Sequence, residues 1–249
     1  MATDRWSSAS FTAKEATRES EISERAVQMC TSALFSGLSK EDCTEIASCA
    51  HARSFVRDEL LFMEGQSARH LVLIRSGSVK QSQLSSSGNE VILWMNGVGE
   101  SVGLPSHSPS CNHTCSARAM EQCHALVWDY NKLQNLVVEY PQIGQNISQI
   151  LSNRLSELQE RFREVATEKV DKRLALALLR LVKQVGTPVQ GGVKVSLSRD
   201  ELAQMTGTTL FTISRIFSKW REEKLVLPLR EAVVVLDTQR LARLSEQGE

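Results

Sequence analysis

Two stretches of this 249-residue sequence concentrate side chains that do chemistry. The first, GLPSHSPSCNHTCSARAMEQC, runs from Gly103 to Cys123 and holds His107, Cys111, His113, Cys115 and Cys123. Imidazoles and thiols at such spacing can ligate a metal or haem iron, and the thiols can be oxidised. The second, TGTTLFTISRIFSKW, runs from Thr206 to Trp220. It reads as an amphipathic helix behind a glycine turn, with Thr209, Leu210, Phe211, Ser214 and Arg215 outward on its first turns and Lys219 further on. A guanidinium in that position can hydrogen-bond guanine O6 and N7 together, and Ser214 can meet a base edge or a phosphate. Thr208, Thr209 and the helix N-terminal amides suit phosphate oxygens.

Composition bounds what can hold these groups. Hydrophobic residues make up 41% and charged residues 23%, as in ordinary globular proteins, and the length favours two domains. No run approaches the roughly 20 apolar residues a membrane span needs. The start, MATDRWSSASFTAKEATRESE, lacks a signal-peptide hydrophobic region, so a cytoplasmic protein without membrane association is expected. Residues 1–21 are expected to form a flexible tail. Net charge is zero, but Glu168–Glu249 holds 14 Lys and Arg against 10 Asp and Glu, leaving 15 against 19 before it. A basic C-terminal third points to an anionic partner. The six cysteines form no CxxC pair and read as reduced thiols. Nucleophile-elbow, P-loop, HExxH and zinc-site spacings are missing, which argues against an enzyme.

The elements that must position the two stretches follow from periodicity. Residues 22–50 read as two helical pieces, the second capped by Ser39 with Asp42 at its third position. From His51 to Asp129 short apolar runs alternate with glycines at 65, 77, 88, 97, 99 and 103, which predicts an antiparallel β-roll of jelly-roll type. Ser87-Gly88-Asn89 reads as a hairpin turn between strands ending near Leu84 and starting near Glu90. Beyond Pro141, apolar residues at 143, 147, 151, 155, 158, 162 and 165 make one stripe along a long helix. A second copy of the chain is its expected partner, giving a homodimer. A helix over Lys169–Gln184, the turn VGTPVQGG and the strand VKVSL come next. Helices over Arg199–Met205 and Thr209–Lys224 and a hairpin, LVLPLREAVVVLD, complete a winged helix-turn-helix pattern. Ser198 and Glu201 form its capping box, Gly207 permits the positive φ of the turn, and Leu202, Ala203, Ile213, Ile216 and Phe217 face its core. The predicted class is α+β: a tail (1–21), a sensory roll with flanking helices (22–140), a dimerisation helix (141–167) and a DNA-binding domain (168–249).

That order of parts resembles the Crp/Fnr superfamily of bacterial transcription regulators across roughly residues 30–240. GSVKQSQLSSSGNEVILWMNGVGESVG is similar to the family's cyclic-nucleotide-binding-type roll, and LSRDELAQMTGTTLFTISRIFSKWREEKLV to its DNA-binding module. The resemblance implies a transcription regulator whose partners are double-stranded DNA with a palindromic operator, RNA polymerase and its own second copy. The alternative is a cyclic-nucleotide-binding-like scaffold without DNA work. The family's oxygen-sensing branch usually carries Glu-x-x-Ser-Arg on the reading helix. Here Ser214 and Arg215 carry over, and Phe211 replaces the acid. A carboxylate accepts from cytosine N4, whereas a phenyl ring can lie against a thymine methyl. The expected half-site therefore keeps the guanine read by Arg215 and changes at the neighbouring base.

Cyclic-nucleotide binding in the family uses Gly-Glu followed by Arg-Ser, the arginine neutralising the phosphate and the glutamate binding the ribose. The resemblance places Leu104 at the glutamate and His113-Thr114 at the Arg-Ser, with Arg118 after the pair. Leu158 and Gln159 fall where hydroxyls would contact adenine, so cAMP is not the expected ligand. Three readings of the His- and Cys-bearing stretch stay open. One is a polar loop with thiols tucked under the roll. Another is haem, because His107-Ser-Pro-Ser-Cys111 is similar, with one insertion, to a His-Ser-Gly-Cys segment of the family's haem-based carbon monoxide sensor. His107 is the preferred ligand, with His113 and Cys111 behind it. The third is a thiol switch among Cys111, Cys115 and Cys123. An iron–sulfur cluster is disfavoured, because Cys30 stands alone and Cys43 and Cys49 are widely spaced.

Overall fold

The run Leu71-Val72-Leu73-Ile74 is too apolar for a strand with one wet face, and it is buried on both. Alternation sends Val72 and Ile74 inward with Phe55, Ala125 and Val127, and Leu71 and Leu73 outward with Leu126 and Trp128. The computed structural model describes residues 22–104 and 112–246, so the expected tail lies outside the described residues. Helices α1 (residues 22–30) and α2 (Lys40–Ser48) flank a 3-10 turn, Ala33–Phe35. Eight strands follow: β1 (His51–Phe55), β2 (Leu60–Phe62), β3 (His70–Ser76), β4 (Val79–Leu84), β5 (Glu90–Asn96), β6 (Ser101–Val102), β7 (Ser116–Ala119) and β8 (Cys123–Asp129). They pair antiparallel in two four-stranded sheets, β1-β8-β3-β6 and β2-β7-β4-β5, which form the expected roll. The β4–β5 hairpin closes with Leu84 opposite Glu90, and Gly88 takes a φ of 82° in its turn.

The outer face of the first sheet is covered by α1, α2, α3 (Tyr130–Glu139) and the start of α4 (Pro141–Thr167). Trp128 anchors this layer: its indole N–H donates to the Ile46 carbonyl at 3.0 Å. Ser39 and Asp42 form the expected capping box on α2. Pro141 opens α4 at a position where a missing N–H costs nothing. Ile143 and Ile147 are buried in the chain's own core, so the apolar stripe divides. Its remainder is exposed: Leu151 (46%), Leu155, Leu158, Phe162 (75%) and Val165. Among the described residues, no helix is long and apolar enough to cross a membrane.

Glu168 and Lys169 are extended and separate α4 from α5 (Val170–Gln184). A bidentate pair bridges this joint, with Arg180 Nη1 and Nη2 donating to the Glu164 carboxylate at 2.6 and 2.9 Å. Arg173 adds bonds to the Val165 and Glu168 carbonyls. Then come β9 (Thr187–Val189), β10 (Gly192–Val195), α6 (Arg199–Thr206), α7 (Leu210–Glu222), β11 (Val226–Pro228), β12 (Val233–Val235) and α8 (Thr238–Glu246). The strands form one antiparallel sheet, β11-β12-β10-β9. Part of the expected turn at 185–192 is thus the edge strand β9, where Pro188 is tolerated on the outer side of the sheet.

Candidate nucleic-acid interface and ligand cavity

Local sequence builds the α6–α7 unit. The Ser198 hydroxyl accepts from the Glu201 amide, and the Glu201 carboxylate accepts from the Ser198 amide at 2.9 Å. Gly207 ends α6 in the left-handed region with φ 61°. The Thr208 amide donates back to Ala203 at 3.1 Å, leaving Thr208 half-buried. Thr209 is the N-cap of α7, its hydroxyl accepting from the Thr212 amide. Leu202, Ala203, Ile213 and Phe217 are buried as expected, and Ile216 packs at the edge of that core. Trp220 is buried too, and the Thr206 hydroxyl donates to the Leu202 carbonyl inside the core. These two roles escaped the sequence analysis, although both positions continue the apolar face of their helices.

The opposite face of α7 is open. Leu210, Phe211 (82%), Arg215 and Lys219 are exposed and Ser214 is half-buried. Lys219 lies 4.0 Å from Glu223, too loose to hold it. Arg215 has no ion pair or hydrogen bond among the described residues. A free guanidinium and hydroxyls at the positive end of a helix make a surface for a polyanion.

A cavity of about 330 Å³ lies between the sheet β2-β7-β4-β5 and α4. His113 and Cys115 line it, while His107 and Cys111 lie outside the described residues. Leu104 and Thr114 line it at two of the cassette positions, Leu158 lines it where a hydroxyl would contact adenine, and Arg118 instead donates to the Asp58 carbonyl. The cavity's cation comes from the helix: Arg154 donates to the Ser101 carbonyl at 2.7 Å. Burial holds its pKa below the ordinary arginine value, opposed by the nearby Glu100, whose own pKa burial raises. Gln81, 4% exposed, also faces the cavity, and its Oε1 has no hydrogen-bond partner among the described residues. Such an orphaned acceptor costs about 1–3 kcal/mol until something donates to it.

His113 lies flat on Phe62, with ring centroids 3.7 Å apart and planes within 9°. Burial, aided by His70, lowers its pKa below the ordinary histidine value. The stacked pair divides this cavity from a second one of about 360 Å³, rimmed by Arg53, Arg69 and His70. The stack occupies a face of the His113 ring, and among the described residues no group of three His, Cys, Asp or Glu could hold a metal ion.

Cys115 and Cys123, the described thiols of the expected switch, do not lie together. Cys115 faces the cavity, whereas Cys123 sits in the roll interior and donates to the Ser78 carbonyl at 3.2 Å. Burial raises both pKa values, which disfavours the reactive thiolate. Cys30 does not stand alone: the packing of α1 on α2 brings it against Cys43. The Cys43 thiol is pushed up to about 12, by burial first and then by Cys30. No sequence spacing signals that contact, because it depends on how two helices cross.

Comparison with known proteins agrees with this geometry. Residues 52–140 match the cyclic nucleotide-binding domain family and residues 172–244 the Crp-like helix-turn-helix domain family. The chain is 24% identical over 212 residues to the CRP-like cAMP-activated global transcriptional regulator of Mycobacterium tuberculosis, covering 84% of this chain and 95% of that one. It is 26% identical to the transcriptional activator protein Anr of Pseudomonas protegens, over 78% of this chain and 80% of that one. The structure of FixK2 from Bradyrhizobium japonicum superposes with a TM-score of 0.70 at 21% identity, covering 80% of this chain and 99% of FixK2. With the expected α+β fold present and its two domains in this order, the chain belongs to the Crp/Fnr superfamily of DNA-binding transcription regulators.

Proposed function

We propose that the chain acts as a homodimer joined along Leu151–Val165 of α4, presenting two α7 helices to successive major grooves of a palindromic operator. The half-sites would lie about 34–36 Å apart. The division into tail (1–21), sensory roll (22–140), dimerisation helix (141–167) and DNA-binding domain (168–249) belongs to this proposal. The observation that carries it is the open face of α7, with unpartnered Arg215 beside Ser214 above the Thr209 cap. Arg215 reads guanine, Phe211 lies against the neighbouring base, and Thr208, Thr209, Leu210 and Lys219 hold the backbone and groove wall. The exposed stripe on α4 supports pairing with a second copy, since a helix face this apolar needs cover. Bound to its operator, the dimer would recruit or block RNA polymerase.

The roll responds to a signal other than cAMP. A relative is described as cAMP-activated, yet Leu104, His113 and Thr114 leave this roll without the acid and the arginine that would hold ribose and phosphate. Arg154 and the orphaned Gln81 Oε1 instead suit a small organic anion bearing a hydrogen-bond donor. The test is selection of bound sequences from random DNA, repeated with cAMP, beside a visible absorption spectrum of the purified protein. The expected outcome is a palindrome with a guanine lost from specificity in Arg215→Ala, no response to cAMP, and a colourless protein. Tighter operator binding with cAMP would overturn the signal reading, and a Soret band would return it to haem. Selection of no sequence would overturn the DNA reading.

A further inference from the structure

The hairpin β4–β5 is a wall shared by the cavity and the DNA-binding module. Gln81, Leu93 and Trp94 line the cavity, the last two on one side because the register shifts between Gln81 and Ser82. Their neighbours Lys80, Ile92 and Met95 face the other way. Ile92 and Met95 are buried in one cluster with Leu202, Ile213 and Phe217, so the roll completes the core of the DNA-binding module. Lys80 is only 8% exposed, and its Nζ lies 3.5 Å from Glu201 Oε1 and 3.6 Å from Glu90 Oε2. Glu201 is also the capping-box acid of α6, its other oxygen accepting from the Ser198 amide and hydroxyl at 2.9 Å. A buried ammonium between two carboxylates thus ties a strand of the roll to the first turn of α6. At the end of β5, a Cβ on Gly97 would lie 2.5 Å from the Gln184 carbonyl, so the backbones of the two units are also in close contact.

We propose that Lys80 is a positioning residue for DNA reading: it clamps the module to the roll and so fixes the direction of α7 relative to the dimer seam. This rests on the DNA-reading function proposed above. The module is also attached through the buried Ile92 and Met95 and through the α4–α5 joint, where Glu168 and Lys169 are extended. Apolar packing has no fixed direction, so Lys80 between its two carboxylates is the contact that resists rotation about that joint. An exposed pair, Arg57 with Glu231 at 3.0 Å, joins the same two units but contributes little in solvent. The clamp does not mask the reader, because Phe211 and Arg215 stay exposed while the module is docked. Its effect is therefore on orientation, which a palindrome reports through the spacing of its half-sites.

The experiment measures dissociation constants of the full-length protein for its selected operator, for versions with a longer or shorter spacer, and for a single half-site. In Lys80→Met the preference for the native spacing is expected to fall on the order of tenfold, within the usual range of coupling between sites. Single half-site affinity should stay at the parent value, and Lys80→Arg should retain the spacing preference. Gly97→Ala presses the two units apart without removing a charge and should lower the same preference, which keeps the test sharp if Lys80→Met does not fold. Parent-like spacing preference in folded Lys80→Met overturns the clamp, as does parent-like preference in Gly97→Ala if Lys80→Met does not fold. A matching loss on the single half-site also overturns it, since Lys80 would then only support the α6 fold. If the parent selects no operator, the DNA-reading function fails first and the clamp falls with it.

Discussion

In the α6–α7 unit, each group the reader needs lies between Ser198 and Lys219, whereas the cavity draws Gln81 from β4, His113 from the approach to β7 and Arg154 from α4. The reader is held by bonds between near neighbours, such as Thr209 with Thr212 and Ser198 with Glu201. The cavity exists only because a sheet and a helix pack across a long stretch of sequence. The difference also appears in satisfaction. The reading face leaves Arg215 free in water at little cost, while in the cavity Gln81 Oε1 is buried with no hydrogen-bond partner among the described residues. A free surface cation suits a large polyanion, and an orphaned buried acceptor suits one small ligand of fixed shape.

Substitutions break this comparison in graded ways. The largest effect is expected at the joint between the two regions. Glu164→Ala leaves Arg180 without its buried partner and should cost about 3–5 kcal/mol in denaturant unfolding. At the reader, Arg215→Ala should weaken operator binding by about 1–3 kcal/mol and leave nonspecific DNA nearly unchanged at matched salt. Phe211→Glu sharpens the claim about base choice: binding-site selection should move one position toward cytosine, by about 1 kcal/mol. At the cavity the sign reverses. Gln81→Leu removes an unsatisfied acceptor, so the unfolding free energy should hold or rise, by up to about 1 kcal/mol, while ligand response is lost.

The smallest effect is the pH dependence of His113. Its folded-state pKa is lowered, so the unfolded chain takes up the proton more readily. Its contribution is fully present above about pH 6.5, the ordinary histidine value, and is lost as pH falls through the lower folded value. Melting curves across that acid range should slope less in His113→Phe than in the parent. An equal slope would show that the histidine is not buried in solution.

Much of the fold was legible because it repeats at short range. The short apolar runs broken by glycines, the Ser87–Asn89 turn, the Ser39 and Ser198 capping boxes and the left-handed Gly207 all follow from neighbouring residues. The stripe at 143–165 was legible as a helix face but not as two surfaces, because only packing assigns Ile143 and Ile147 to the chain's own core. The strand β9 has the local sequence of a turn, since Pro188 and the following glycines weaken any strand signal and pairing with β10 supplies it. The meeting of Cys30 with Cys43 was likewise invisible.

By itself the sequence determined the winged helix-turn-helix, the outward Arg215 and Ser214, and the neutral residues at the cassette positions. Side-chain type and helical period decide those within a few residues. Only the tertiary structure decided that Arg154 supplies the cavity's cation, that Gln81 is left unpaired and that Lys80 reaches Glu201. Those facts depend on which surfaces exclude water from one another, and a linear pattern carries no record of which distant surfaces will meet.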